Sequence, residues 1–99
     1  MEKNLTIEDI KKAVEKIAPE YGLTKVSLFG SRARGNFQPD SDVDLIVEFD
    51  EKKIVTLFDL SGIMIDLEEI FGLKVDVVTR KGLERSYLEV NEELEIYAA

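Results

Sequence analysis

The chain has 99 residues, 44% of them hydrophobic, which predicts one domain, residues 1–99, with a single modest core. It contains neither cysteine nor histidine, so disulfides, thiolate metal sites, the usual general base and any Ser-His or Cys-His nucleophile pair are excluded. A formal net charge of −8 argues against a nucleic-acid footprint, and with no apolar run of membrane-spanning length and no signal-peptide pattern in MEKNLTIED, a cytoplasmic location is expected.

Thr6 followed by Asp9 resembles a capping box, and Ile7, Ile10, Val14 and Ile17 recur at helical spacing until Pro19 and Gly22 end the run. Residues 25–29 form a β-rich run that stops at Gly30. Residues 30–41 (GSRARGNFQPDS) read as a loop with one helical turn. Residues 42–49 then alternate as a strand, with Val43, Leu45, Val47 and Phe49 on one face and Asp42, Asp44, Ile46 and Glu48 on the other. After a charged turn at 50–53, Leu57, Leu60, Met64, Leu67 and Phe71 predict a second long helix closed by Gly72. Residues 74–79 read as a third strand and Arg80-Lys81-Gly82 as a linker. Leu83, Tyr87, Val90, Leu94 and Tyr97 mark the stripe of a last helix. The order α-β-α-β-α-β-α predicts an α/β (α+β) layer architecture. The link from the second to the third strand has room for a crossover helix, which allows part of the sheet to be parallel.

Three features carry chemistry. Asp42 and Asp44 are two apart on a strand whose other face is apolar, so both carboxylates point the same way, the geometry that clamps a hard divalent cation such as Mg²⁺. The plain alternative is a solvated strand edge, or residues that cap the start of the strand. Gly30-Ser31 ends the first strand at a turn where backbone amides and the Ser31 hydroxyl can meet phosphate, with Arg32 and Arg34 as nearby positive charge; an ordinary turn is the alternative. Asp76 interrupts an apolar strand, which is costly unless the charge is paired or metal-bound. If the strands bearing Asp44 and Asp76 are neighbours, all three acids converge on one open face; a salt bridge to Lys74 or Arg80 is the other reading.

Phe29-Gly30-Ser31, ten intervening residues and Asp42-Val43-Asp44-Leu45 resemble the signature of the DNA polymerase β-type nucleotidyltransferase superfamily. The fuller string GSRARG…SDVDL is similar to the minimal nucleotidyltransferases, the antitoxin halves of HEPN/MNT toxin–antitoxin pairs. The resemblance implies a nucleotidyltransferase fold, a small mixed twisted sheet flanked by helices. It implies that Gly30 and Ser31 hold the triphosphate of ATP, that Asp42 and Asp44 bind one or two Mg²⁺ ions, and that Asp76 completes the metal site or takes the acceptor's proton.

Larger members of that superfamily carry a second domain that helps grip base or acceptor, and none is expected here. The missing wall must come from another subunit, a partner or the acceptor, in a homo- or hetero-oligomer. The resemblance implies a HEPN toxin as partner, with AMP transferred to one of its tyrosines. Phe58, Ile63, Ile65, Leu88 and Ile96, off the main helical stripes, offer docking surface or simply widen the core face. The run Glu89, Glu92, Glu93 and Glu95 reads as a solvated helix face. The alternative to an enzyme is a catalytically silent antitoxin that neutralises its toxin by contact alone, although a scaffold has no physical need for three converging acids. Transfer to a small molecule is a third reading.

Overall fold

Thr6 and Asp9 open helix α1 (Ile7–Tyr21) through a reciprocal capping box, each side chain accepting from the other's amide at 3.0 Å. The structure is a computed structural model and describes residues 5–85 and 92–99. α1 runs through Pro19 rather than stopping there, because an exposed proline in the last turn forfeits only one intrahelical bond. The helix ends at Gly22, whose φ of 69° provides a left-handed cap. Strand β1 (Leu23–Phe29), the one-turn helix α2 (Ser31–Arg34), β2 (Val43–Phe49) and α3 (Leu57–Phe71) follow, then β3 (Val75–Thr79), α4 (Arg80–Arg85) and β4 (Glu93–Ala98). A second capping box, between Thr56 and Asp59, opens α3.

The four strands form one mixed sheet in the order β3-β2-β1-β4. β1 is antiparallel to β2 and to β4, while β2 and β3 are parallel and joined through α3. Val14 and Ile17 of α1, and Ile63 and Leu67 of α3, pack with Val26, Leu28, Val43, Leu45 and Val75 of the sheet in one core. Each such fully buried side chain contributes about 1.5–3 kcal/mol. Ile46, on the opposite face, is also buried, as is Leu83 of α4, and neither belongs to that core cluster. Among the described residues no helix is long and apolar enough to cross a membrane.

Three expectations change. Residues 93–98 form an edge strand paired with β1, not the end of a helix; Tyr87, Leu88, Glu89 and Val90 lie outside the described residues. Leu94 and Ile96 alternate with Glu93 and Glu95 at the strand period. The register shift between Val26 and Ser27 brings Tyr97, as well as Ile96, onto the core. In α3, Ile63 is fully buried while Leu57 is 80% exposed, so the core face is rotated towards Leu60, Ile63, Leu67 and Phe71. Arg80-Lys81-Gly82 is the first turn of α4, started by the Thr79 hydroxyl accepting from the Gly82 amide at 2.9 Å.

The strand assignment reverses the expected rank of two tail residues. Ile96→Ala is expected to cost about 2–4 kcal/mol in urea unfolding and Leu94→Ala less than about 1 kcal/mol. A helical tail packed through Leu94 gives the opposite order.

Candidate active site

Sheet register decides which acids meet. The parallel pairing of β2 with β3 sets Asp44 directly opposite Asp76. Their neighbours Val43, Leu45 and Val75 point into the core, so both carboxylates rise from the other face, on strands about 4.8 Å apart. Asp44 is half-buried, and its carboxyl is pushed up to about 6. Burial is the largest cause, followed by hydrogen bonding to Asp76 and its charge, then the charge of Asp42; Lys74 acts in the other direction. Lys74 Nζ stands 4.0 Å from Asp76 Oδ1, an exposed contact that neutralises little.

Asp42 lies one residue before β2 rather than within it and is exposed, reaching Asp44 through its charge. Among the described residues no three acids close into a ready-made metal cage. The donor set is all oxygen: two adjacent carboxylates and a third within electrostatic reach. That suits Mg²⁺, which keeps several waters and takes one or two carboxylates with substrate phosphates. An acid held near 6 by burial and other acids is also one whose ionised form a divalent cation would favour.

The antiparallel pairing of β1 with β2 sets Phe29 opposite Asp44 and so brings Gly30 against the same carboxylate. Gly30 has φ 74° and ψ −155°, a region open essentially to glycine alone. A Cβ at this position would overlap Asp44 Oδ2. The turn continues directly into α2, with the Gly30 carbonyl accepting from the Arg34 amide at 3.2 Å and the Ser31 carbonyl from the Gly35 amide at 3.0 Å. Ser31 is half-buried beside it and Arg34 is exposed.

Arg32 departs from the expected phosphate contact. It is 2% exposed, and its guanidinium donates to the backbone carbonyls of Leu5, Pro39 and Ser41. The sequence reading also missed an ion-pair network further along the Asp44 face. Arg80 holds Glu93 through both terminal nitrogens, at 2.9 and 2.5 Å, and stands 3.6 Å from Glu48, while Lys25 bridges Glu48 and Glu95. These partners come together only through strand pairing, so no local pattern marks them. A cleft of about 500 Å³, lined in part by Glu48, Phe49, Leu57, Thr79 and Arg80, lies at the other end of β2 from Asp44.

Residues 7–98 match the family model described as a nucleotidyltransferase domain. Protein adenylyltransferase MntA of Thermococcus cleftensis is 34% identical over 83 residues, which cover 80% of this chain and 82% of that protein. Six proteins of Methanocaldococcus jannaschii, 26–40% identical, carry provisional names for the same activity. A solved structure provisionally described as a minimal nucleotidyltransferase superposes with a TM-score of 0.66 at 36% identity, covering 82% of this chain and 84% of that one. A structure of a tri-AMPylated Shewanella oneidensis HEPN toxin in complex with MNT antitoxin gives a TM-score of 0.68 at 14% identity, covering 95% of this chain and 74% of its match, a likeness of fold alone.

The raised carboxyl of Asp44 has a defined sign for stability. A folded-state pKa near 6 against an ordinary 3.8 means that the fold favours the protonated acid. The resulting stabilisation is full below 3.8 and lost as pH rises through about 6. Asp44→Asn is therefore expected to be more stable than the parent by about 1–2 kcal/mol at pH 7 without divalent cations, after discounting for solvent screening. In thermal unfolding the gap should close below about pH 4. Gly30→Ala is expected to lose at least about 1–3 kcal/mol from backbone strain alone.

Proposed function

Because this chain belongs to the nucleotidyltransferase domain family, we propose that it transfers AMP from ATP to a tyrosine hydroxyl of a HEPN-type toxin and so acts as that toxin's antitoxin. The observation that carries this reading is the pairing of Asp44 with Asp76, with Gly30 pressed against Asp44. Further support comes from the adenylyltransferase names of its relatives and from the AMPylated toxin in the complex of similar fold.

In this mechanism Gly30 and Ser31 hold the triphosphate, through backbone amides and the Ser31 hydroxyl, with exposed Arg34 at the rim. Asp42 and Asp44 would hold Mg²⁺, with Asp76 as a further ligand or as the base. Mg²⁺, when bound, supplies charge neutralisation for the phosphates and lowers the pKa of a nearby hydroxyl. The tyrosyl oxygen attacks the α-phosphorus in line, a phosphorus–oxygen bond forms, and the bond to the β-phosphate oxygen breaks to release pyrophosphate. With no histidine in the chain, Asp76 is the side chain proposed to take the phenolic proton.

The acceptor needs a surface to dock on. Ile54, Leu57 and Phe58, at the entrance to α3, are 87%, 80% and 88% exposed. Three large apolar side chains left in water within five residues favour a protein partner there. Of the other candidates, Ile65 is 52% exposed, whereas Ile63 and Ile96 belong to the core.

Incubation with α-labelled ATP, Mg²⁺ and the partner toxin is expected to label the toxin. Asp44→Ala should lower the rate by about 10³-fold, and chelation should abolish it until Mg²⁺ is restored. No labelling of any toxin by the parent chain, with neutralisation intact in Asp42→Ala and Asp44→Ala, would sink the transferase reading in favour of neutralisation by contact.

Protons and metal compete for the same carboxylates. The Mg²⁺ concentration for half-maximal transfer should therefore rise as pH falls through about 6 and level off above it. Phe58→Glu with Leu57→Glu should weaken toxin capture at least about 30-fold while leaving ATP binding unchanged.

A further inference from the structure

Arg32 stands between the two halves of the Gly-Ser…Asp-x-Asp pattern, and its surroundings fit a different task from phosphate binding. It sits on α2, one residue after Ser31, and is 2% exposed. Nε donates to the Ser41 carbonyl at 3.2 Å and Nη2 to the same oxygen at 3.0 Å, so two arms of the guanidinium grip one peptide group. Nη2 also reaches the Pro39 carbonyl at 3.3 Å, and Nη1 the Leu5 carbonyl ahead of α1 at 3.3 Å. The Phe37 ring lies 4.8 Å from Cζ, in stacking range. The loop is tied on its own side as well: the Gln38 amide donates to Ser41 Oγ at 2.8 Å and the Ser41 amide to the Gln38 carbonyl at 3.0 Å.

The gripped carbonyl belongs to the peptide group that leads into Asp42, the acid left outside β2 and so without ladder bonds to fix it. On the other side of that acid, the Val43 amide is held by the Lys74 carbonyl at 2.9 Å. Asp42 is thus fixed by its neighbours in sequence, one anchored to the sheet and one to Arg32. A lysine cannot take this role, because a point ammonium lacks the planar fork that reaches three carbonyls at once.

We infer that Arg32 is a positioning residue that sets Asp42 relative to the Gly30-Ser31 turn by clamping the 37–41 loop around its guanidinium, without touching the nucleotide. This rests on the proposed nucleotidyltransferase function for the role of Asp42, while the clamp itself is a matter of geometry.

The test is calorimetric titration of the full chain with ATP at a series of Mg²⁺ concentrations, comparing the parent with Arg32→Lys. A positioning role raises the half-saturating Mg²⁺ by about 10–100-fold, with ATP affinity at saturating Mg²⁺ within about twofold of the parent. A phosphate ligand instead lowers ATP affinity at every Mg²⁺ concentration, and a purely structural part lowers only the binding-competent fraction, leaving half-saturation in place. Either result overturns the inference. If Arg32→Lys does not fold, Phe37→Leu removes the ring from the guanidinium, keeps its donors, and should shift half-saturation in the same direction by a smaller factor. An unchanged value there also overturns it. Absence of any Mg²⁺-dependent ATP binding in the parent chain condemns the nucleotidyltransferase reading itself, a separate failure from unchanged Mg²⁺ dependence in a parent that does bind.

Discussion

Asp44 and Asp76 repel each other across a parallel strand pair, and much of the sequence around them holds that unfavourable contact in place. Two full charges about 5 Å apart near a protein surface cost about 3 kcal/mol at an effective dielectric of 20. The strands cannot slip to relieve it, because a shift of one residue would turn Val43, Leu45 and Val75 out of the core and bury the acids instead. Apolar packing on one face therefore maintains electrostatic tension on the other. That tension adds to burial, the larger cause, in raising the carboxyl of Asp44.

Some of the acids on this sheet face have close cationic partners. Across the sheet Glu48, Glu93 and Glu95 are matched by Lys25 and Arg80, although Glu93, opposite Phe29, stands level with Asp44. At the acid end, Lys74 is the cation acting on Asp44, from an exposed position where water screens it. Arg32, close in sequence, turns its guanidinium to backbone carbonyls instead of the carboxylates.

The glycine-serine turn works through geometry more than charge. Antiparallel pairing ends β1 beside Asp44, and only a residue without a side chain fits between the backbone and that carboxylate. The two halves of the motif are therefore in contact through the sheet, and Arg32 ties them again through the loop. Both links are short, which suits a site that must hold its groups to fractions of an ångström.

Local patterns made much of this legible. Alternation in 43–49 marked the buried face of β2, and the Thr6 cap and Gly72 stop gave helix limits that the structure keeps. Spacing alone made Gly30, Ser31, Asp42 and Asp44 candidates, and the strand fixes the direction of Asp44, although Asp42 lies just outside it. The tail was misread because Leu94 and Tyr97 satisfy a helical spacing, and the bulge that reconciles Tyr97 with a strand exists only once β1 is alongside. Ile63 and Leu57 exchanged roles because the rotation of a helix is set by the surface it meets, here the sheet and α1. Arg32 read as a free cation, since nothing local reveals that a loop will close around it.

The sequence by itself determined which residues are candidates for chemistry and which face of β2 Asp44 occupies, because those properties follow from residue type and a two-residue repeat. Only the tertiary structure decided that Asp76 faces Asp44, that Gly30 lies against that same acid, and that Arg32 is enclosed by its own loop. Each of these depends on partners 5 to 32 positions distant in the chain, brought together by pairing register and packing that residue type alone does not reveal.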